Sequence, residues 1–278
     1  MKIGILGLGL IGGSLGFDLK SQGHYVLGVS RRESTCKKAM EIGSVDQAAT
    51  ELSLLSTAEI VFICTPIGLI VPQVEKLISH IPKTTIITDV GSVKTPIVQG
   101  ISPLWKNFVG GHPMAGNTDV GIDAAQRNLF VDRPYVITPA DNTPSHAIKI
   151  LEEIVRSIGS IIYHCSPEKH DRAVSWISHL PVIVSASLVA ACLDESDTEI
   201  FQLAQNFASS GFRDTSRVGA GNPELGVMMA QYNRQALINS LHQYRHNLDH
   251  FISLIEQENW EMLTEQLKLN QQSRPRFL

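Results

Sequence analysis

Short apolar runs alternate with amphipathic stretches through the first 165 residues of the chain. Lys2–Leu6, Tyr25–Val29, Ala58–Cys64, Thr85–Thr88, Asn107–Gly110, Arg133–Thr138 and Ser160–Tyr163 read as strands, most of them apolar enough to be buried on both faces. Between them the apolar spacing changes to the helical period. It predicts helices from Leu10 to about Gln22 and over Glu33–Ile42, Ile70–Ile81 and Ser145–Ser157. Gly43 stands in the C′ position that helix ends favour. Strands alternating with helices predict an α/β fold with a doubly wound parallel sheet.

The texture changes at Cys165-Ser166-Pro167-Glu168. Ser166 suits an N-cap, Pro167 the first helical position and Glu168 the positive end of the helix dipole. From there the pattern is helical: Pro167–Leu193, Glu199–Ser210, Pro223–Glu256 in one piece or two, and Trp260–Gln271. Two domains follow, residues 1–165 with the sheet and residues 166–278 all helical. Ile177–Leu193 is apolar almost all round, which marks a helix buried on every side, within the helical domain or in a dimer. It is short for a membrane span and is interrupted by His179, Pro181, Ser185 and Ser187, so no membrane is expected.

The turn after the first strand carries Gly7, Gly9 and Gly12 in G-x-G-x-x-G spacing. Strand, glycine turn and helix in that order form a dinucleotide-binding (Rossmann) fingerprint. Gly7 makes the turn, Gly9 admits a pyrophosphate, Gly12 lets helix and strand approach, and N–H groups around Leu10 and Ile11 receive the anion. A free ribose 2′-OH calls for an acidic residue at the end of the second strand, but the chain reads Ser30-Arg31-Arg32 there. Two guanidiniums and a hydroxyl suit a 2′-phosphate, so the expected cofactor is NADP. Cys64-Thr65-Pro66 and the loop holding Asp89 and Gly91 close two further strands on the side where such sheets bind ligands.

Of the 278 residues 43% are hydrophobic and 18% charged, the balance of a globular protein. A net charge of −4 gives no reason to expect nucleic acid. The four cysteines show no metal spacing and fit a reducing cytoplasm; Cys36 and Cys165 read as surface thiols, Cys64 and Cys192 as buried.

Three places offer chemistry. His112, in Gly110-Gly111-His112-Pro113-Met114-Ala115-Gly116, is held extended by Pro113 on a small-residue loop past a strand, where it can reach a nicotinamide; an idle loop histidine is the alternative. His179 precedes Pro181, which should kink the helix and aim the imidazole into a cleft, unless it is simply a hydrogen-bonded core histidine. Arg213 and Arg217 lie in a non-periodic stretch and can offer a guanidinium to a carboxylate, although Arg213 can equally pair with Asp214. Ser92 can donate to a substrate oxygen or cap the helix at Lys94.

Taken with Gly7–Ser14, Asp89–Lys94, Ser178-His179-Leu180-Pro181 and Arg213–Arg217, the G-x-H-P-M-x-G element resembles the prephenate/arogenate dehydrogenases of tyrosine biosynthesis over nearly the whole chain. The resemblance implies oxidative decarboxylation of a cyclohexadienol to a phenol, with His112 as the catalytic histidine and Ser92 holding the ring hydroxyl. His179 and Arg217 would bind the substrate's polar side-chain and carboxylate groups, and the helical domains would join a homodimer. Val182 stands where relatives often carry a second histidine, and Pro223-Glu224-Leu225-Gly226 where they often read P-x-L-W, which bears on side-chain preference. The chain is expected to lack the regulatory domain or fused mutase of some relatives. Arg31 and Arg32 resemble the NADP-using members that prefer arogenate, with prephenate the alternative substrate. A β-hydroxyacid dehydrogenase would want a lysine motif on the first long helix of the second domain, where this chain has Ser175–His179. A non-catalytic NADP sensor would not require His112, His179 and Arg217 together.

Overall fold

A computed structural model describes residues 1–116 and 119–277; Leu278, the last residue assigned above to the helical domain, lies outside the described residues. Strands β1 (Lys2–Leu6), β2 (Tyr25–Val29), β3 (Gln47–Ala49), β4 (Ile60–Ile63), β5 (Ile86–Asp89), β6 (Phe108–Pro113), β7 (Pro134–Thr138) and β8 (Ile161–His164) form one sheet. Their order is β3-β2-β1-β4-β5-β6-β7-β8. Every neighbouring pair is parallel except β6 and β7, so the expected doubly wound parallel sheet forms with one antiparallel pair in it.

Helices α1 (Leu10–Ser21), α2 (Glu33–Glu41) and α5 (Ser145–Ser157) cover one face, and α3 (Ile67–Leu77) and α4 (Thr95–Ile101) the other. Each face has its own apolar cluster. Leu15, Leu19, Phe62, Tyr135 and Leu151 pack on the first, and Val61, Ile63, Ile70, Leu77 and Trp105 on the second. Strand β4 feeds both clusters, which is why it reads as an unbroken apolar run. Gly43 does end α2 with a φ of +77°.

Differences from the sequence reading have local causes. Strand β3 is a three-residue edge strand, too short to show a period. Helix α3 starts three residues before the expected Ile70, on Pro66 as N-cap, and runs through Pro72. Strand β6 continues beyond Gly110 to Pro113 by changing partners: Phe108 and Val109 pair with β5, and Gly110 to Pro113 with β7. His112 is therefore on a strand, not a loop. Its two preceding glycines serve close packing, since a Cβ at Gly110 would meet the Thr138 hydroxyl at 2.5 Å and one at Gly111 the Tyr135 hydroxyl at 2.7 Å.

Beyond β8 come α6 (Pro167–Val174), α7 (Leu180–Leu193), α8 (Thr198–Phe207), α9 (Ser210–Ser216), α10 (Pro223–Tyr232), α11 (Arg234–Glu256) and α12 (Trp260–Ser273). Ser166 caps α6 as expected, accepting from the Lys169 N–H at 3.3 Å. The disturbance expected near Pro181 is a single π turn, Ser175–His179, that joins α6 to α7. The break expected in the third long helix falls at Asn233.

The continuous helix Pro167–Leu193 is long and apolar enough to cross a membrane by length and composition, and only 17% of its most apolar window is buried. Ile177 is 57% exposed and Leu193 65%. Within one chain this helix is thus far from buried on every side. Of the cysteines, Cys36 is buried, contrary to the surface expectation, with its thiol donating to the Ala49 carbonyl at 3.2 Å. Cys64, Cys165 and Cys192 are half-buried.

Candidate active site

The glycine turn lies where β1 and β4 diverge at the middle of the sheet. Gly7 has a φ of +107°, and a Cβ there would sit 2.6 Å from the Cys64 carbonyl oxygen. A Cβ on Gly12 would lie 2.0 Å from the Gly7 carbonyl oxygen, so helix and turn meet only because this residue has no side chain. At Gly9 an added Cβ meets nothing within 4 Å. Gly9 is also the N-cap of α1 and gives it no side-chain cap. Helix α1 thus begins at Leu10 and Ile11 with no side chain capping its first N–H groups, the arrangement that receives a pyrophosphate.

Ser30, Arg31 and Arg32 follow β2 at the rim of this crevice, Ser30 half-buried and both arginines exposed. Glu33 is tied to Lys37 at 2.9 Å, and neither arginine has an ion pair among the described residues. On the far side of the turn, Cys64 and Thr65 are half-buried and Pro66 is exposed. The Thr65 hydroxyl is buried and has no partner among the described residues. Burial pushes the Cys64 thiol far up, so it stays protonated.

Asp89, at the end of β5, is wholly buried. Both oxygens are used within the fold: one accepts from the Gly91 N–H at 2.8 Å and from Lys94 Nζ, the other from the Gly111 N–H at 3.2 Å. Asp89 and Lys94 are wholly buried, and Lys94 Nζ also donates to the Gly111 carbonyl at 2.7 Å. Burial pulls the Lys94 amine below its ordinary range while the Asp89 charge pushes it back up. This pair grips both sides of the Gly111 peptide, immediately before His112.

His112 is only 9% exposed. Its Nδ1 lies 2.8 Å from His170 Nε2, and the rings meet edge to face at 5.0 Å between centroids. His170 Nδ1 lies 2.8 Å from Asp171 Oδ1. The Asp171 carboxylate also caps α4, accepting from the backbone N–H groups of Lys94 at 2.7 Å and Thr95 at 2.8 Å. Ser92 does not cap this helix; it is half-buried and makes no side-chain hydrogen bond among the described residues.

Burial depresses the His112 imidazole well below its ordinary pKa, helped by His170, Lys94 and His179 nearby. Hydrogen bonds from His170, Lys94 and Thr95 outweigh burial at Asp171 and hold its carboxyl below the usual range. His112 opens onto a cleft of about 690 Å³ whose walls include Met114, Arg127, Arg133, Ile177 and Ser178. A neutral imidazole with Nε2 unbonded among the described residues, beside a cleft, is equipped to take a proton.

His179 is 1% exposed. Its Nδ1 is 3.1 Å from Asn233 Nδ2, which also donates to the Asp171 carbonyl at 2.8 Å. Its Nε2 is buried without a partner among the described residues. Burial lowers its pKa to about 4. The histidine is thus both a core residue and one with an unused polar atom.

The stretch expected to be irregular is helical. Arg213 lies in α9, exposed and paired with Asp214 at 3.2 Å. Arg217, also exposed, opens the 3-10 turn Arg217–Ala220. That turn is pinned to α7 by Ser185, whose hydroxyl donates to the Thr215 carbonyl and accepts from the Gly219 N–H, both at 2.9 Å. The sequence reading missed His170, Asp171 and Asn233 and gave Lys94 no role. His-Asp in the polar opening of α6 looks like a solvated helix end, and only the fold puts it behind His112, 58 residues back in the chain.

Two adjoining family descriptions match the chain. They are "Prephenate dehydrogenase, nucleotide-binding domain" over residues 15–164 and "Prephenate dehydrogenase, dimerization domain" over residues 166–269. The fold superposes on the crystal structure of Synechocystis arogenate dehydrogenase with a TM-score of 0.92 and 55% identity, covering 100% of both chains. It also superposes on prephenate dehydrogenase from A. aeolicus in complex with hydroxyphenyl propionate and NAD+, with a TM-score of 0.94 and 26% identity over 100% of this chain and 98% of that one. The prephenate dehydrogenase of Bacillus subtilis (strain 168) is 32% identical over 266 residues, 93% of this chain and 71% of the relative.

Proposed function

The chain belongs to the prephenate dehydrogenase family of oxidoreductases, and from that premise we propose that it oxidatively decarboxylates arogenate to tyrosine with NADP as hydride acceptor. The observation that carries this reading is the buried His112, its Nδ1 tied to His170 and its Nε2 without a partner among the described residues, beside the cleft. The crevice fits a dinucleotide: Gly9 leaves open space before the α1 N-terminus, and Gly7 and Gly12 are packed too tightly for any side chain. Arg31 and Arg32, without a carboxylate partner among the described residues, support a 2′-phosphate and hence NADP over NAD. We assign the remainder of that site to Gly7, Leu10, Ile11, Gly12, Ser30, Thr65, Pro66 and the backbone at Cys64 and Gly91.

When bound, NADP supplies the acceptor for a hydride from the ring carbon that bears the hydroxyl. His112 Nε2 takes the hydroxyl proton as that carbon becomes a carbonyl. Loss of the ring carboxylate as CO2 sends its electron pair through the ring to the carbonyl oxygen. His112 then returns the proton and a phenol results. The net change is one hydride and one CO2, with the histidine unchanged. Ser92 donates to the same oxygen, His179 binds through its unpartnered Nε2, and Arg217, with Arg213 beside it, receives the side-chain carboxylate.

The reading takes residues 1–165 as the dinucleotide domain and 166–278 as the helical domain. The open apolar face of α7 forms the homodimer contact. Four free cysteines accord with the cytoplasm. The test is a four-way assay of purified protein with arogenate or prephenate and NADP or NAD, following reduced-cofactor absorbance. The greatest kcat/KM is expected for arogenate with NADP; a greater value for prephenate with NAD would overturn both preferences.

A further inference from the structure

We propose that His170, Asp171 and Asn233 are positioning residues that fix the two site imidazoles in opposite tautomers: a bare Nε2 on His112 and a protonated Nε2 on His179. Its consequence for turnover rests on the reading of His112 as the base.

Backbone N–H groups of Lys94 and Thr95 donate to the two oxygens of Asp171 at 2.7 and 2.8 Å, so the carboxylate is an ionised acceptor. The 2.8 Å contact between Asp171 Oδ1 and His170 Nδ1 then requires a proton on that nitrogen. In the proposed arrangement His170 carries only this proton, so its Nε2 is bare and accepts from His112 Nδ1–H across 2.8 Å. His112 Nε2 is left as the acceptor.

A second path starts from the same residue. The Asp171 backbone carbonyl can only accept, and Asn233 Nδ2 lies 2.8 Å from it, which sets the orientation of the amide. The same Nδ2 is 3.1 Å from His179 Nδ1, so that ring nitrogen accepts and the ring proton sits on Nε2. This N–H is buried and unpartnered among the described residues. The site thus presents one acceptor nitrogen for a hydroxyl proton and one donor for a substrate oxygen. Asp171 governs both, through its carboxylate on one side and its carbonyl on the other.

The experiment is long-range 1H–15N correlation on the full chain labelled at histidine nitrogen, with assignment by His112→Asn and His179→Asn. His112 should show a pyrrole-type Nδ1 and a pyridine-type Nε2, and His179 the reverse. A pyrrole-type Nε2 on His112, or equal tautomers at either ring, overturns the proposal without any further variant. His170→Phe should give His112 mixed tautomers and lower kcat about 10- to 100-fold, less than the roughly 10²–10⁴-fold of losing the base, with little change in KM or NADP affinity. Asn233→Leu should release the His179 tautomer and raise KM about tenfold, one hydrogen bond's worth. Unchanged spectra and kinetics in both variants would equally refute the assignment. A wild-type protein that turns over neither substrate would sink the functional reading, while its spectrum still decides the tautomers.

Discussion

Lys94 and Asp89 form a fully buried ion pair behind the strand that carries His112, and breaking it tests how the site is held. Lys94→Met leaves the Asp89 carboxylate in the core with two backbone donors, Gly91 N–H at 2.8 Å and Gly111 N–H at 3.2 Å. An uncompensated buried charge of this kind costs about 3–5 kcal/mol. Asp89→Asn strands the ammonium with one strong acceptor, the Gly111 carbonyl at 2.7 Å, at a similar cost. At about 2–4 °C per kcal/mol, each single variant should lose roughly 6–20 °C in Tm. The double variant removes both charges and should be destabilised by less than the sum of the singles, by about 2–3 kcal/mol. Thermal melts of the full chain, read by circular dichroism without cofactor, give all four corners of the cycle. Additive losses in the double variant would refute the reasoning, as would a Lys94→Met protein less than about 1 kcal/mol weaker than wild type.

Three further outcomes are expected. His112→Asn should lower kcat by about 10²–10⁴-fold with KM and NADP binding little changed. In the wild type, a neutral His112 with a pKa well below its ordinary value places the acid limb of kcat/KM well below pH 6.5; a limb at or above pH 6.5 would contradict its buried setting. Replacing both Arg31 and Arg32 with Ala removes charge-assisted hydrogen bonds worth roughly 1.5–3 kcal/mol each, so NADP affinity should fall at least about tenfold while NAD affinity barely moves; equal losses in titration calorimetry would show that they do not read the phosphate. Light scattering at micromolar concentration should find a homodimer that covers the apolar face left by α7, and a monomer would count against that assignment.

The nucleotide end of the site was legible because its physics is local. Gly7 needs a positive φ and Gly12 needs a missing side chain, and both constraints fall within one turn of chain. Helix α5 was bounded correctly, Ser145–Ser157, because one strongly amphipathic period carries it between two turns. His112 was visible as chemistry, yet its setting was not. Its strand is completed by β7, which approaches antiparallel from residues 134–138, and no pattern around Gly110-Gly111 announces a change of partner.

The sequence by itself therefore determined the kind of protein: an alternating sheet and helix plan, a glycine turn for a dinucleotide, a cationic rim, and a histidine beside them. Only the tertiary structure decided what that histidine touches. His170 and Asp171 sit in a polar helix opening that reads as solvated, and Asn233 marks what looks like a mere helix break. Folding brings Asp171 within 2.7 Å of the Lys94 N–H, 77 residues away, and buries all of them. Hydrogen bonds between such distant residues leave no period in the chain. They depend on where helix and sheet come to rest, and that is settled by packing.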